Sequence, residues 1–308
     1  LAVKTGPGRS IELRFEGADG EQKRFGGHVA LNVFGLFHFD GTIGFEQSSR
    51  TIRLSDGSNV AVNLLTVGVT NATAFAGING PASNAGAIGF SLAGANFGLA
   101  LMRPTDSADA RSWVSLKGGA AAPAFVGVSQ LAASVSNLAV EINQGLGTDT
   151  VADFSGLALT IPAGVGNQVT LDFDGADGAL LQITANLNLT VDGLVSVAGD
   201  FVIKKSGRTV KLSNATSIET DVLSFGGSGV EAFIGVNGPA NSPGATGFGI
   251  SNLEFGLALF SEKAGTRRFT SLRASAASAA FVGAGDLTMD VTGILVDLNR
   301  ASDGGAVI

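Results

Sequence analysis

The same wording occurs twice along the chain, and that repetition limits what the chain can fold into. SIELRFEGADG at 10–20 answers TLDFDGADG at 170–178, and SRTIRLSD at 49–56 answers GRTVKLSN at 207–214. AFAGINGPASNAGAIGF at 74–90 answers AFIGVNGPANSPGATGF at 232–248. FGLAL at 97–101 recurs at 255–259, and AFVG at 124–127 recurs at 280–283. The offset is 158 residues over most of the chain and 156 after a two-residue deletion near 265. Such continuous repetition predicts two tandem units, 1–156 and 157–308, that stack and bury a shared core. Leu1-Ala2-Val3 matches Leu157-Ala158-Leu159, and Val307-Ile308 matches Val151-Ala152. Leu1, Val3, Leu157 and Leu159 are therefore the expected packing residues at a unit junction. The 308 residues read as almost two periods cut from a longer array, with further copies expected end to end.

Within each unit the apolar residues alternate. In Leu187–Lys204 they fall on odd positions: Leu187, Leu189, Val191, Val195, Val197, Phe201 and Ile203. The earlier counterpart runs Val29, Leu31, Val33, Phe37, Phe39, Ile43 and Phe45. Period-two alternation is that of a strand with one face buried. The run exceeds an ordinary strand, so turns are expected at Asp192-Gly193 and Gly199-Asp200. A two-residue hairpin would switch the buried parity, and the parity does not switch. A chain cornering around a core keeps it. The expected fold is all-β: an elongated β-solenoid-like stack of two repeats of about 157 residues, each with about a dozen short strands. The alternative is two β-sandwich domains. Near the end of the unit the parity does switch, and a bulge or turn at Ser136-Asn137 is expected, with its counterpart at Thr292-Gly293.

Composition agrees. Gly is 45 of 308 and charged residues are only 15%, which favours tight turns over helices. With a net charge of −7 and no basic cluster beyond Lys204-Lys205 and Arg267-Arg268, nucleic acid is excluded as a partner. The absence of cysteine excludes disulfides and thiolate metal sites. The stretch between Asp56 and Arg103 carries no charge, but polar residues and glycines interrupt it too often for a transmembrane helix.

Candidate chemistry is sparse. Asp172, Asp174 and Asp177 in DFDGADG offer alternate carboxylates, the ligand type Ca²⁺ takes. The first unit has Arg14, Glu16 and Asp19 there, and an Arg would repel the ion. Asn79-Gly80-Pro81 and Asn237-Gly238-Pro239 read as turns in which Asn or Gly supplies positive φ. His28 and His38 align with Asn186 and Ser196 and have outward parity, so they read as surface histidines. Trp113 aligns with Phe269 and reads as packing. No nucleophile, base and acid can be assembled, and no phosphate loop occurs, so catalysis is not expected.

DFDGADGALLQITANLNLTVDG, GRTVKLSN, AFIGVNGP and ISNLEFGLALF together resemble repeat modules of giant bacterial exported proteins, the adhesins and matrix proteins. That resemblance spans the chain. It implies an extracellular or cell-surface, cysteine-poor rod, often stiffened by Ca²⁺, serving a structural or adhesive role. A carbohydrate-binding module and a lipid-conducting β-groove are the alternatives. The partners expected are further copies of the chain and a cell-surface or glycan target.

Overall fold

A computed structural model describes residues 1–13, 21–33, 37–127, 131–164, 166–191, 194–283, 285 and 289–308. The chain is all-β. Its strands are β1 (Ala2–Gly6), β2 (Arg9–Glu12), β3 (Gln22–Val33), β4 (Phe37–Leu54), β5 (Asn59–Ile78) and β6 (Ile88–Pro104). Next come β7 (Ser112–Ala120), β8 (Ala124–Val126), β9 (Leu131–Leu146), β10 (Ala152–Asp153), β11 (Leu159–Pro162) and β12 (Gln168–Leu171). A 3₁₀ turn, Gly175–Asp177, precedes β13 (Leu180–Val191), β14 (Val195–Lys211), β15 (Ser217–Val236), β16 (Thr246–Glu262), β17 (Arg268–Val282) and β18 (Asp290–Ala301). One large sheet runs β4-β5-β6-β7-β9-β13-β14-β15-β16-β17-β18, with β3 on β4 and β8 between β6 and β9. Two small hairpins, β1–β2 and β11–β12, stand apart from it as separate sheets.

Every described pairing is antiparallel, and sequence neighbours are mostly sheet neighbours. Asp192-Gly193, where a corner is expected, lies outside the described residues, but the strands on either side, β13 and β14, pair antiparallel. Val191 pairs with Val195, so three residues intervene and odd parity is kept through a reversal of direction. Only a two-residue loop would have switched it. Strands are also fewer and longer than expected: β5 and β15 each span 20 residues.

Bulges let the strands run so long. Gly199 does not turn the chain; the β14–β15 register slips there, between Ala198 and Asp200. Positive φ recurs at matched places: Asn71 and Gly229, Gly94 and Asn252, Asn137 and Gly293. Each of these six is Asn or Gly, the residues that tolerate that region. A bulge bends a strand without ending it. The bulge expected at Ser136-Asn137 sits at Asn137, facing the register slip between Thr184 and Asn186. The Asn-Gly-Pro segments are turns, with φ of 57° at Asn79 and 56° at Asn237.

The alternation buries one face of the lower sheet. Ile52, Leu54, Val62, Leu64, Ala100, Met102 and Trp113 form a core closed from above by Phe154, Leu159, Ile161, Leu171 and Phe173. Farther along the sheet, Val210, Leu212, Val222, Phe260, Phe269 and Ala301 form a second core, against which Ala306, Val307 and Ile308 pack. The total surface is 17439 Å², against about 12,000 Å² for a compact globule of this mass. An open sheet leaves much apolar area facing outward.

Candidate functional site

The site is where the β11–β12 hairpin meets the sheet. In the hairpin Leu159 pairs with Leu171 and Ile161 with Val169, so these four side chains share one face. Leu159 is 4% exposed, and Ile161 and Leu171 are fully buried. The hairpin lies across β4, β5, β6 and β7. At some 1.5–3 kcal/mol per fully buried aliphatic side chain, these residues are a substantial part of what holds the hairpin down.

The floor under it is a row of glycines, one on each of three neighbouring strands. Gly44 pairs with Gly68, and Gly68 with Gly98. They are needed because the hairpin rests directly on the strands, backbone on backbone at Gly44 and Gly68 and side chain on backbone at Gly98. A Cβ at Gly68 would lie 2.9 Å from the Ala163 Cα, one at Gly44 2.9 Å from the Gly164 nitrogen, and one at Gly98 3.0 Å from Val169 Cγ1. The Thr70 hydroxyl donates to the Ala163 carbonyl at 3.1 Å. Beside the hairpin, Lys117 Nζ donates to Asp172 Oδ1 at 2.7 Å and lies 3.6 Å from Glu141. That bond holds the Asp172 carboxyl below the usual carboxylate range and raises the Lys117 ammonium. Beneath, Ser115 donates to Asn143 at 2.9 Å, and Asn143 donates to the Ala152 carbonyl at 2.8 Å.

A related floor lies uncovered farther along the sheet, with Val202 where the first has Gly44 and with the Val202 side chain 2.8 Å from where a Cβ on Gly226 would stand. Val202 pairs with Gly226, Gly226 with Gly256, and Gly256 with Arg273. A Cβ on Gly256 would meet nothing within 4 Å. An open cleft of about 520 Å³ is lined there by Val202, Gly226, Gly256, Ala258 and Arg273, among others. Thr66, Ala100, Ser115 and Asn143 are buried under the hairpin. Their counterparts Ser224, Ala258 and Ser271 are half-buried, and Asn299 is exposed. The polar network beneath is nevertheless the same: Ser271 donates to Asn299 at 3.1 Å, and Asn299 to the Ile308 carbonyl.

The β1–β2 hairpin mirrors β11–β12: Val3 pairs with Ile11 as Ile161 pairs with Val169. Its apolar residues face solvent, with Leu1 81% and Ile11 59% exposed. This register corrects the junction reading. Leu1 corresponds to Leu159 and Val3 to Ile161, whereas Leu157 is 86% exposed and packs nothing into the core. Leu-Ala-Val resembles Leu-Ala-Leu by letter, two residues away from the match that pairing makes at the 158-residue offset.

The three acidic residues have separate employments. Asp172 holds Lys117, Asp174 caps the 3₁₀ turn by accepting from the Ala176 nitrogen, and Asp177 lies in its first turn. Among the described residues no group of three or more His, Asp or Glu side chains is gathered as a metal site. His28 is exposed and lies 3.3 Å from Asp40. His38 departs from the surface reading: it is half-buried against Phe75, with ring centroids 6.2 Å apart, and its buried Nε2 has no hydrogen-bond partner. Trp113 is fully buried, as packing requires, and donates to the Thr150 carbonyl at 3.1 Å. The glycine floor escaped the sequence reading because its members lie in different strands, and only the register aligns them. No protein-family model, curated protein or solved structure matches this chain.

Proposed function

We propose that this chain is a structural, non-catalytic segment of an extracellular or cell-surface bacterial filament or giant surface protein, built as an elongated stack of two tandem units, 1–156 and 157–308. The observation that carries this reading is the pair of hairpin seats, one filled by β11–β12 and a related one, with Val202 in the place of Gly44, left open. An open seat and an unseated hairpin on one molecule make a heterologous contact that does not close on itself, the geometry of a polymer. The partners are further copies of the chain, and adhesion to a cell-surface or glycan target follows from display along a fibre. Electron microscopy and sedimentation of the purified chain test this: unbranched fibres support it, and monodisperse particles at every concentration overturn it. Repeating the imaging with a Ca²⁺ chelator tests whether Asp172, Asp174 and Asp177 stiffen the fibre through an ion.

A second reading, lipid contact, is favoured by one observation. At one end of the sheet Ile78, Ile88 and Phe90 are exposed, and so are Ile234, Val236 and Phe281. Exposed apolar side chains grouped in this way mark a partner or a lipid surface. Co-purifying lipid, found by solvent extraction of detergent-free protein, would favour that role over the fibre.

A further inference from the structure

The middle of the sheet shows how one run of strands joins the next. β9 pairs with β13 over eleven positions, from Leu180 opposite Asn143 to Val191 opposite Leu131, and the hairpin that precedes β13 seats on β4–β7. Strand pairing and hairpin seating therefore occur together at one junction. Both halves of that junction recur unpaired. Among the described residues β3 pairs only with β4, and β18 only with β17. β3 is the counterpart of β13, preceded by its own hairpin β1–β2, and β18 is the counterpart of β9, flanked by its own seat on β14–β17. Unpaired edges with exposed apolar side chains are templates for another strand.

We propose that β3 of a second copy of this chain adds antiparallel to β18, while the β1–β2 hairpin of that copy settles on the open seat. This rests on the filament reading and specifies its contact. The register transfers residue by residue from β9–β13. Gln182 opposite Glu141 becomes Arg24 opposite Asp297, exchanging a 3.4 Å hydrogen bond for opposite charges. Ile183 opposite Val140 becomes Phe25 opposite Val296, and Thr184 opposite Ala139 becomes Gly26 opposite Leu295. Phe25 and Leu295 are each 62% exposed, and Val296 is 47% exposed, so the pairing covers apolar surface on both edges. On the seat, Leu1, Val3, Ile11 and Leu13 take the places of Leu159, Ile161, Val169 and Leu171 over Gly226 and Gly256, and the hairpin stands off at Val202, which replaces Gly44. Ser228, the counterpart of Thr70, stands ready to donate to the Thr5 carbonyl. The ion pair is not copied: Asp172 becomes Arg14, while Arg273 is already held by Asp297 at 2.7 Å.

The chain has no cysteine, so introduced thiols report one contact. Chains carrying Phe25→Cys and chains carrying Val296→Cys are mixed under assembly conditions and oxidised. The expected product is an adduct linking 25 to 296, absent when Val291→Cys replaces Val296→Cys. In parallel, Val3→Asp and Ile11→Asp are expected to leave the β signal and melting temperature of the lone chain unchanged while raising the concentration needed for assembly by tenfold or more. Fibres that form without the 25–296 adduct, or with an equal 25–291 adduct, overturn this contact while the filament reading stands. An adduct of the Phe25→Cys chain with itself places β3 against β3 and overturns it likewise. A wild-type chain that stays monomeric overturns both.

Discussion

Lys117 and Asp172 meet at 2.7 Å across the line where the hairpin segment turns back toward the sheet. Lys117 stands on β7, and Asp172 follows β12 directly, so this ion pair fastens the covering layer to the layer it covers. The lowered Asp172 pKa sets the sign of its pH dependence. A carboxylate whose folded-state pKa is depressed stabilises fully above its ordinary value and loses that contribution as pH falls through the folded value. The fastening should therefore weaken only below about pH 4. Asp172 is more than half exposed, so screening limits the pair to at most about 1 kcal/mol. Asp172→Asn should lower the melting temperature at pH 7 by at most about 2–4 °C, leave it unchanged in acid where the pair is already lost, and so flatten the acid limb of the profile.

The two glycine floors should respond oppositely to the same change. Gly68→Val drives side-chain carbon into the Ala163 backbone and should cost about 1–3 kcal/mol. Calorimetry should show this as a drop of roughly 2–4 °C per kcal/mol. Gly256→Val adds its side chain over open space and should leave the melting temperature of the lone chain within a degree or so of wild type. Equal losses at both positions would show that the second seat is already covered.

Trp113 reports on the first core alone, because it is the single tryptophan and is fully buried there. Its emission should be blue-shifted in the folded chain and move red when that core opens. Trp113→Phe, which copies Phe269, should cost far less than Trp113→Ala, for which about 3–5 kcal/mol is expected. Urea melts of the two variants, followed by circular dichroism, check the ranking.

If chains join through β3 and β18, the strands lie across the fibre axis. About twelve strands per chain at about 4.8 Å give a rise on the order of 58 Å per chain, and about half of that per six-strand run. Fibre diffraction should show a meridional reflection near 4.8 Å, with a weaker axial spacing near those longer values. Strands running along the axis would exclude this mode of growth.

Much of the local structure was legible in the residues. Alternation in Leu187–Lys204 and its counterpart identified strands, and the structure is all-β, but the odd face is not the covered one throughout: Leu31, Phe45, Val195 and Ile203 are exposed while Glu46, Ser48 and Ser196 are buried. The parity switch placed a bulge at Asn137, where φ is positive. The direction of the chain after Val191 was not legible, because a corner and a three-residue hairpin leave the same parity. Strand lengths misled for a related reason: Gly199 punctuates the sequence like a turn, yet it bulges within β14 and the strand continues.

The residue pattern by itself determined that the chain is built of strands, where Asn and Gly bend the backbone, and that each local motif has a counterpart 156 or 158 residues away. These follow from side-chain periodicity and φ preference, which act over a few neighbours. Only the tertiary structure decided that Gly44, Gly68 and Gly98 form one floor, that Ile161 is buried on it, and that Val3, its counterpart in an identical hairpin register, is left facing water. Those outcomes depend on register between strands far apart in sequence and on which hairpin finds a sheet to cover. Alternation along a single strand carries no information about either.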